Sequence, residues 1–170
     1  MLDKLIDLII EVWDQSKPYV FILEYEEGVM FRAGRFLKIL KPGWHLKIPF
    51  IDNVMEENVK SDTMEIPPIN ITTLDGKTIS IGGEFNLAID NIYLALVETN
   101  DWRSNLKEVC RGILSDHLED CEWGDIKKKI VKNQISKRIE KRAEEMGIKI
   151  NNFNYTDKVL TRALTLFKGL

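Results

Sequence analysis

The hydrophobic period changes along this chain, and that change limits the folds open to it. Up to about residue 89 the apolar residues fall in short runs or alternate with polar ones, the period of strands. From about 90 to 147 they recur at i, i+3, i+4 and i+7, the period of helices, and a strand-like segment then returns. Strands first, helices after and one late strand indicate an α+β domain built on an antiparallel meander. With 170 residues the chain is long enough for one ordinary domain with a real core.

In the strand-rich part, 19–89, Tyr19-Val20-Phe21-Ile22-Leu23 and Val29-Met30-Phe31 flank Glu26-Glu27-Gly28, which reads as a hairpin. Lys41-Pro42-Gly43 is a turn, and Trp44 to Ile48 is the strand leaving it. Pro49 ends that strand before Phe50 and Ile51, which are expected to pack inward; Pro67-Pro68 confines its neighbourhood to a sheet edge or a strand end. Ile69, Ile71 and Thr73 alternate with polar residues up to the tight turn Asp75-Gly76. Gly82-Gly83 marks a bulge in the strand that follows.

The helical part, 90–147, starts with a short helix from Asn91 to Glu98. Leu106, Val109, Cys110, Ile113, Leu114, His117, Leu118 and Cys121 then form a buried stripe, and Ile126, Ile130, Val131, Ile135, Ile139 and Ala143 mark a further helix that Gly147 caps. Residues 148–156 read as a strand and 158–168 as a short terminal helix. At the other end, residues 1–16 predict an amphipathic helix stopped by Pro18. Asp3, Lys4, Asp7, Glu11 and Asp14 occupy an arc of roughly 100°, and apolar residues including Leu2, Leu5, Ile6, Ile9 and Trp13 cover about 200°. So wide an apolar arc needs a cover: a bilayer surface, a neighbouring subunit, or the domain formed by 17–170. The segment is too short and too charged to span a bilayer.

Catalytic chemistry is not indicated. Cys110 and His117 are seven residues apart on one helix, about 10.5 Å, so one zinc ion cannot take both; no metal ligand set and no cofactor are expected. There is no G-x-S-x-G, no G-x-G-x-x-G and no Walker pattern. Lys plus Arg is 24 against 27 Asp plus Glu, a net charge of −3, which excludes chain-wide attraction to nucleic acid. The strongest local charge is the basic run Lys127, Lys128, Lys132, Lys137, Arg138, Lys141 and Arg142. No aromatic residue interleaves with it to stack bases, so solvent, lipid headgroups or an acidic protein surface are its partners, not nucleic acid.

The order of motifs goes further. Glu27-Gly28-Val29, Arg32-Ala33-Gly34-Arg35, Pro42-Gly43-Trp44-His45, Lys47-Ile48-Pro49-Phe50-Ile51-Asp52 and Thr72-Thr73-Leu74-Asp75-Gly76 follow one another in the order and spacing of the SPFH, or band 7, family. The chain resembles the stomatin, prohibitin, flotillin and HflK/HflC type over about residues 20–157. Gly28, Gly34, Pro42, Gly43, Pro49, Asp52, Asp75 and Gly76 carry the resemblance as scaffold positions. Gly28 and Gly34 suit either positive φ or packing that leaves no room for a Cβ.

The resemblance implies a non-catalytic, membrane-associated, oligomer-forming scaffold, with a sheet partly wrapped by helices. Partners in that case are further copies or a larger family member, a membrane surface on its cytoplasmic face, and a membrane protease or other membrane protein. The transmembrane anchor and the long C-terminal coiled coil usual in the family are not seen in this sequence, so attachment falls to Leu2, Leu5, Ile6, Ile9 and Trp13. The alternative is a soluble, cytoplasmic interaction module that caps a larger relative.

Overall fold

The computed structural model describes residues 4, 6, 16–126 and 128–160, with backbone alone at 157–160. Among the described residues eight strands form three antiparallel sheets. β1 (Tyr19–Ile22) pairs with β4 (Gly43–Leu46); β2 (Glu26–Arg32) lies between β3 (Arg35–Leu40) and β5 (Asp52–Asn58); and β7 (Thr78–Ile89) lies between β6 (Asp62–Thr72) and β8 (Ile148–Leu160). A π-helical turn (Leu94–Glu98) leads from β7 to α1 (Trp102–Glu119), and α2 (Trp123–Ile126) and α3 (Lys129–Glu145) follow. This is the expected α+β architecture, with α1 packed on β6 and α3 on β8.

The main core fills the space between the long sheet and the helices. Odd residues of β7, Ile79, Ile81, Phe85, Leu87 and Ile89, meet Leu106, Cys110, Leu114 and Leu118 of α1 and Val131, Ile135, Ile139 and Ala143 of α3, all buried. β2 is covered on both sides. Val29 and the half-buried Phe31 belong to the main core, whereas Met30 faces a satellite core with Ile22 and Leu40.

Three sequence expectations change. Glu26-Glu27-Gly28 is not a turn: these residues open β2, and the reversal is at Leu23–Glu26, where the Glu26 N–H donates to the Leu23 carbonyl. β1 therefore makes no hairpin with β2. Gly28 lies inside β2, and its lack of a side chain admits its neighbours: a Cβ there would lie 3.1 Å from Ile22 Cδ1 and 3.4 Å from Leu40 Cβ. Phe50 and Ile51 point outward and are exposed. The late strand runs to Leu160, so the expected terminal helix at 158–168 begins three residues inside β8, where Lys158, Val159 and Leu160 pair with Ile81, Ser80 and Ile79; its remainder, 161–168, lies outside the described residues.

Other turns follow the glycines. Ala33-Gly34 joins β2 to β3 with φ of 49° and 77°, Gly43 has φ 127°, and Gly76 has φ 74° in the β6–β7 turn. Pro67-Pro68 lies in edge strand β6 at a register shift, and Gly82-Gly83 lies at the β7–β8 shift, as expected of a bulge.

Candidate membrane-docking surface

The β1–β4 ribbon has one face in the satellite core and one face open. Alternation turns Val20 and Ile22 inward, which leaves Tyr19 and Phe21 outside. The register sets Leu46 opposite Tyr19 and Trp44 opposite Phe21, so all four share the outer face. Trp44 packs against both aromatics with ring centroids 5.2 Å away, yet Trp44 is 69% exposed and Leu46 81%. The chain then carries Ile48, Phe50 and Ile51, with Phe50 68% exposed. Seven large apolar side chains within about thirty residues are thus left uncovered by the domain, more than scattered surface hydrophobics account for.

The Phe50 loop is held rigidly. Arg32 grips Asp52 with two bonds, Nε to Oδ1 at 2.7 Å and Nη2 to Oδ2 at 2.9 Å, and the Ile48 N–H donates to Asp52 Oδ2 at 2.8 Å. The Asp52 side chain is fully buried, and these bonds, the Arg32 guanidinium first, hold its carboxyl down at about 2. The Ala33 N–H donates to the Ile51 carbonyl. So braced, Phe50 keeps a φ of 64°, a conformation that a bulky residue adopts only when its surroundings impose it.

Pro18, just after the N-terminal segment, joins this ribbon, since the Lys47 N–H donates to its carbonyl. Of the segment itself, Lys4, Ile6 and Ser16 are described; they are helical and exposed. Leu2, Leu5, Ile9 and Trp13 lie outside the described residues. Among the described residues no helix is long and apolar enough to cross a membrane.

The basic run is divided by its surroundings. Lys128 pairs with Asp125, Arg142 with Glu145, and the half-buried Lys132 donates to Asn154 Oδ1 at 2.8 Å. Lys137, Arg138 and Lys141 are exposed on α3; Lys127 lies outside the described residues. Cys110 is buried in the main core with its thiol pushed up to about 12 by burial, and Cys121 Sγ donates to the His117 carbonyl. Both cysteines serve as packing groups.

Asp75, at the tip of the Thr-Leu-Asp-Gly turn, is a junction. It takes an ion pair from Lys77 at 2.7 Å and a hydrogen bond from the Trp123 N–H at 3.2 Å, while the Leu74 N–H donates to the Cys121 carbonyl. The turn is thereby tied to the α1–α2 connection. Asp52 and Asp75 close loops, Gly34, Gly43 and Gly76 supply positive φ, and Gly28 admits Ile22 and Leu40 against β2.

The comparison with protein families decides the relationship: the family model described as SPFH domain / Band 7 family matches residues 20–164. The chain belongs to the SPFH/band 7 family. This band 7 domain is similar to mouse stomatin, 23% identical over 152 residues, which is 87% of this chain and 52% of stomatin. It is also similar to an uncharacterised protein of Methanocaldococcus jannaschii, 22% identical over 136 residues, 79% of this chain and 68% of that one. Human mitochondrial stomatin-like protein 2 is 32% identical over 83 residues, 48% of this chain and 23% of that protein. The band 7 domain thus spans about half the length of stomatin.

Proposed function

We propose that this band 7 chain is a non-catalytic peripheral membrane scaffold whose lipid contact is the outer face of β1–β4 together with the N-terminal segment. The observation that carries this reading is the run Tyr19, Phe21, Trp44, Leu46, Ile48, Phe50 and Ile51, uncovered and continuous with the apolar segment before Pro18. Aromatic side chains with a polar handle suit the headgroup boundary.

Magnitudes set the binding mode. Burying a large apolar side chain contributes about 1.5–3 kcal/mol, and each of these is already partly covered. Three or four of them yield only reversible binding, comparable to one fatty acyl chain. Several copies held together convert that into firm attachment, because each further contact is intramolecular. Scaffolding and self-association therefore belong to the same reading, and a membrane protein complex is the natural client.

Liposome flotation tests it with three chains: the full chain, one beginning at Lys17, and the full chain with Trp44→Ser, Leu46→Ser and Phe50→Ser. The expected result is flotation of the full chain, partial loss for the shortened chain, and a loss of about tenfold or more for the triple variant. Equal flotation of all three removes this surface from the mechanism. No flotation of the full chain favours a soluble module that docks a protein through the same face.

A further inference from the structure

The face of the β3–β2–β5 sheet that receives the ribbon changes charge from one end to the other. Alternation puts Glu26, Gly28, Met30 and Arg32 of β2 on that face, where Met30 meets Ile22 and Leu40. The register then sets Glu56 of β5 opposite Gly28, Lys38 of β3 opposite Met30, and Arg35 and Asp52 on either side of Arg32. Glu26 and Glu56 therefore mark an acidic end. Arg32, Arg35 and Lys38 mark a basic one, with Gly28 and Arg32 about 13 Å apart at the strand rise. The basic end is where the Phe50 loop is fastened, by the Ala33 N–H on the Ile51 carbonyl and by Arg32 on Asp52.

The charges at that end do not cancel. Asp52 is buried and already matched by Arg32 and the Ile48 N–H. Arg35 and Lys38 are exposed and make no ion pair among the described residues; Lys38 feels the Asp52 charge only from a distance. Arg35 also stands directly opposite Arg32, an arrangement in which like charges repel. On the other side of Arg32, beside Asp52, is a cavity of about 300 Å³ lined by Lys47, Phe50, Ile51, Asp52 and Asn53. Unmatched positive charge and uncovered apolar side chains thus share one end of the domain.

That pairing selects the partner. A free anion would match Arg35 and Lys38 and leave Phe50 and Ile51 in water. A neutral bilayer would cover Phe50 and Ile51 and leave the two cations unmatched. An anionic bilayer satisfies both, because its apolar zone is bordered by negative headgroups. The same surface repels Glu26 and Glu56 at the far end of the sheet, so a docked domain tilts towards its Phe50 end.

We propose that Arg35 and Lys38 form a site for the headgroups of anionic phospholipids, so that the Phe50 loop enters first and the Glu26–Glu56 end is held away. The inference rests on the lipid-docking reading above and names the lipid class that reading leaves open. Each basic side chain close to an anionic surface strengthens binding about fivefold. The effect fades over a Debye length of about 8 Å, so cations beside Phe50 count and those held far from the surface do not.

The test is co-sedimentation of the full chain with vesicles of phosphatidylcholine, and of phosphatidylcholine carrying about 30% phosphatidylserine. The quantity read is the ratio of the two affinities, anionic over neutral. Asp3, Asp7, Glu11, Asp14 and Lys4 are present in every chain compared, so their contribution cancels. Arg35→Gln with Lys38→Gln should lower the ratio roughly tenfold or more and leave neutral binding unchanged. Arg35→Lys with Lys38→Arg should keep it. Lys137→Gln with Lys141→Gln on α3 makes the same change in net charge and should move the ratio less than about twofold. Should the β3 pair fail to fold by circular dichroism, Lys38→Gln alone replaces it, with a fall of about fivefold expected. If the β3 change leaves the ratio as it was, or the α3 change lowers it as much, the headgroup site is overturned while the lipid-docking reading stands. A wild-type chain that binds neither vesicle overturns that reading, and this inference with it.

Discussion

Asp52 closes the loop that presents Phe50, its carboxylate accepting from Arg32 and from the Ile48 N–H. Its ordinary pKa in an unfolded chain is about 3.9, and in the folded protein the carboxyl is held at about 2, chiefly by the Arg32 bond and then by Ile48. A carboxyl lowered on folding stabilises the native state above its unfolded pKa, and the contribution is lost as pH falls from about 4 towards 2. Asp75, also held at about 2 by Lys77 and Thr73, adds to the same limb. Urea melts at pH 7, 4 and 2.5 should therefore show wild-type stability falling across the acid range. Asp52→Asn should be less stable than wild type at pH 7 and should lose less on acidification, retaining the share due to Asp75 and to Asp101, whose carboxyl the Ser104 hydrogen bonds also lower. An acid limb of unchanged slope in the variant contradicts this account.

At the scale of elements, two glycines predict opposite outcomes for one chemical change. Gly83 lies in β7 beneath Phe153 of β8, where a Cβ would stand 2.7 Å from Phe153 Cε2. Phe153 is buried in the main core and has nowhere to move, so Gly83→Ala should cost about 1–3 kcal/mol as overpacking. Gly112, on the exposed side of α1, has nothing within 4 Å of that position, and Gly112→Ala should stabilise by about 0.5–1 kcal/mol through helix propensity. Thermal melts of the two variants check both signs. The same scale shows what was legible in the sequence. Pro42-Gly43 and Asp75-Gly76 were readable because each acts on its own backbone, with φ of 127° at Gly43 and 74° at Gly76. Glu26-Glu27-Gly28 was misread because the demand on Gly28 comes from Ile22, Leu40 and Val54, on three other strands. The apolar ribbon face was hidden for a similar reason. Tyr19 and Trp44 share a face only because β1 skips β2 and pairs with β4, a choice that no local pattern reveals. Phe50 read as inward because its outward turn depends on the clamp between Arg32 and Asp52, twenty residues apart.

For the molecule as a whole, the two halves are unequal. The long sheet and helices share a large core, whereas the β1–β4 ribbon rests on Ile22, Met30 and Leu40, with Val20 and Val54 alongside. A core of that size does not hold a unit folded on its own, so the first half relies on its junction with the second. That junction consists of Val29 and Phe31 in the main core, the edge-on contact of Phe36 with Tyr93 at 4.8 Å, and Arg103. Arg103 bonds Glu57 at 3.0 Å and Asp62 at 3.3 Å while lying over the Trp102 ring at 4.5 Å, and so ties β5, β6 and α1 together. Each contact is modest, on the order of 1 kcal/mol or less for the exposed ion pairs and similar for the stacked guanidinium. Local opening of the first half should therefore need less free energy than global unfolding. Native-state hydrogen exchange should show amides of β1 and β4 exchanging through a lower-energy opening than those of β7 and α1. Arg103→Ala should lower the opening energy of β2 and β5 by about 1 kcal/mol and leave β7 and β8 close to wild type. Uniform acceleration across all strands would mean that the chain opens as one unit. A difference between halves makes the β1–β4 part the more adaptable one, which suits the proposed docking of that face onto a membrane.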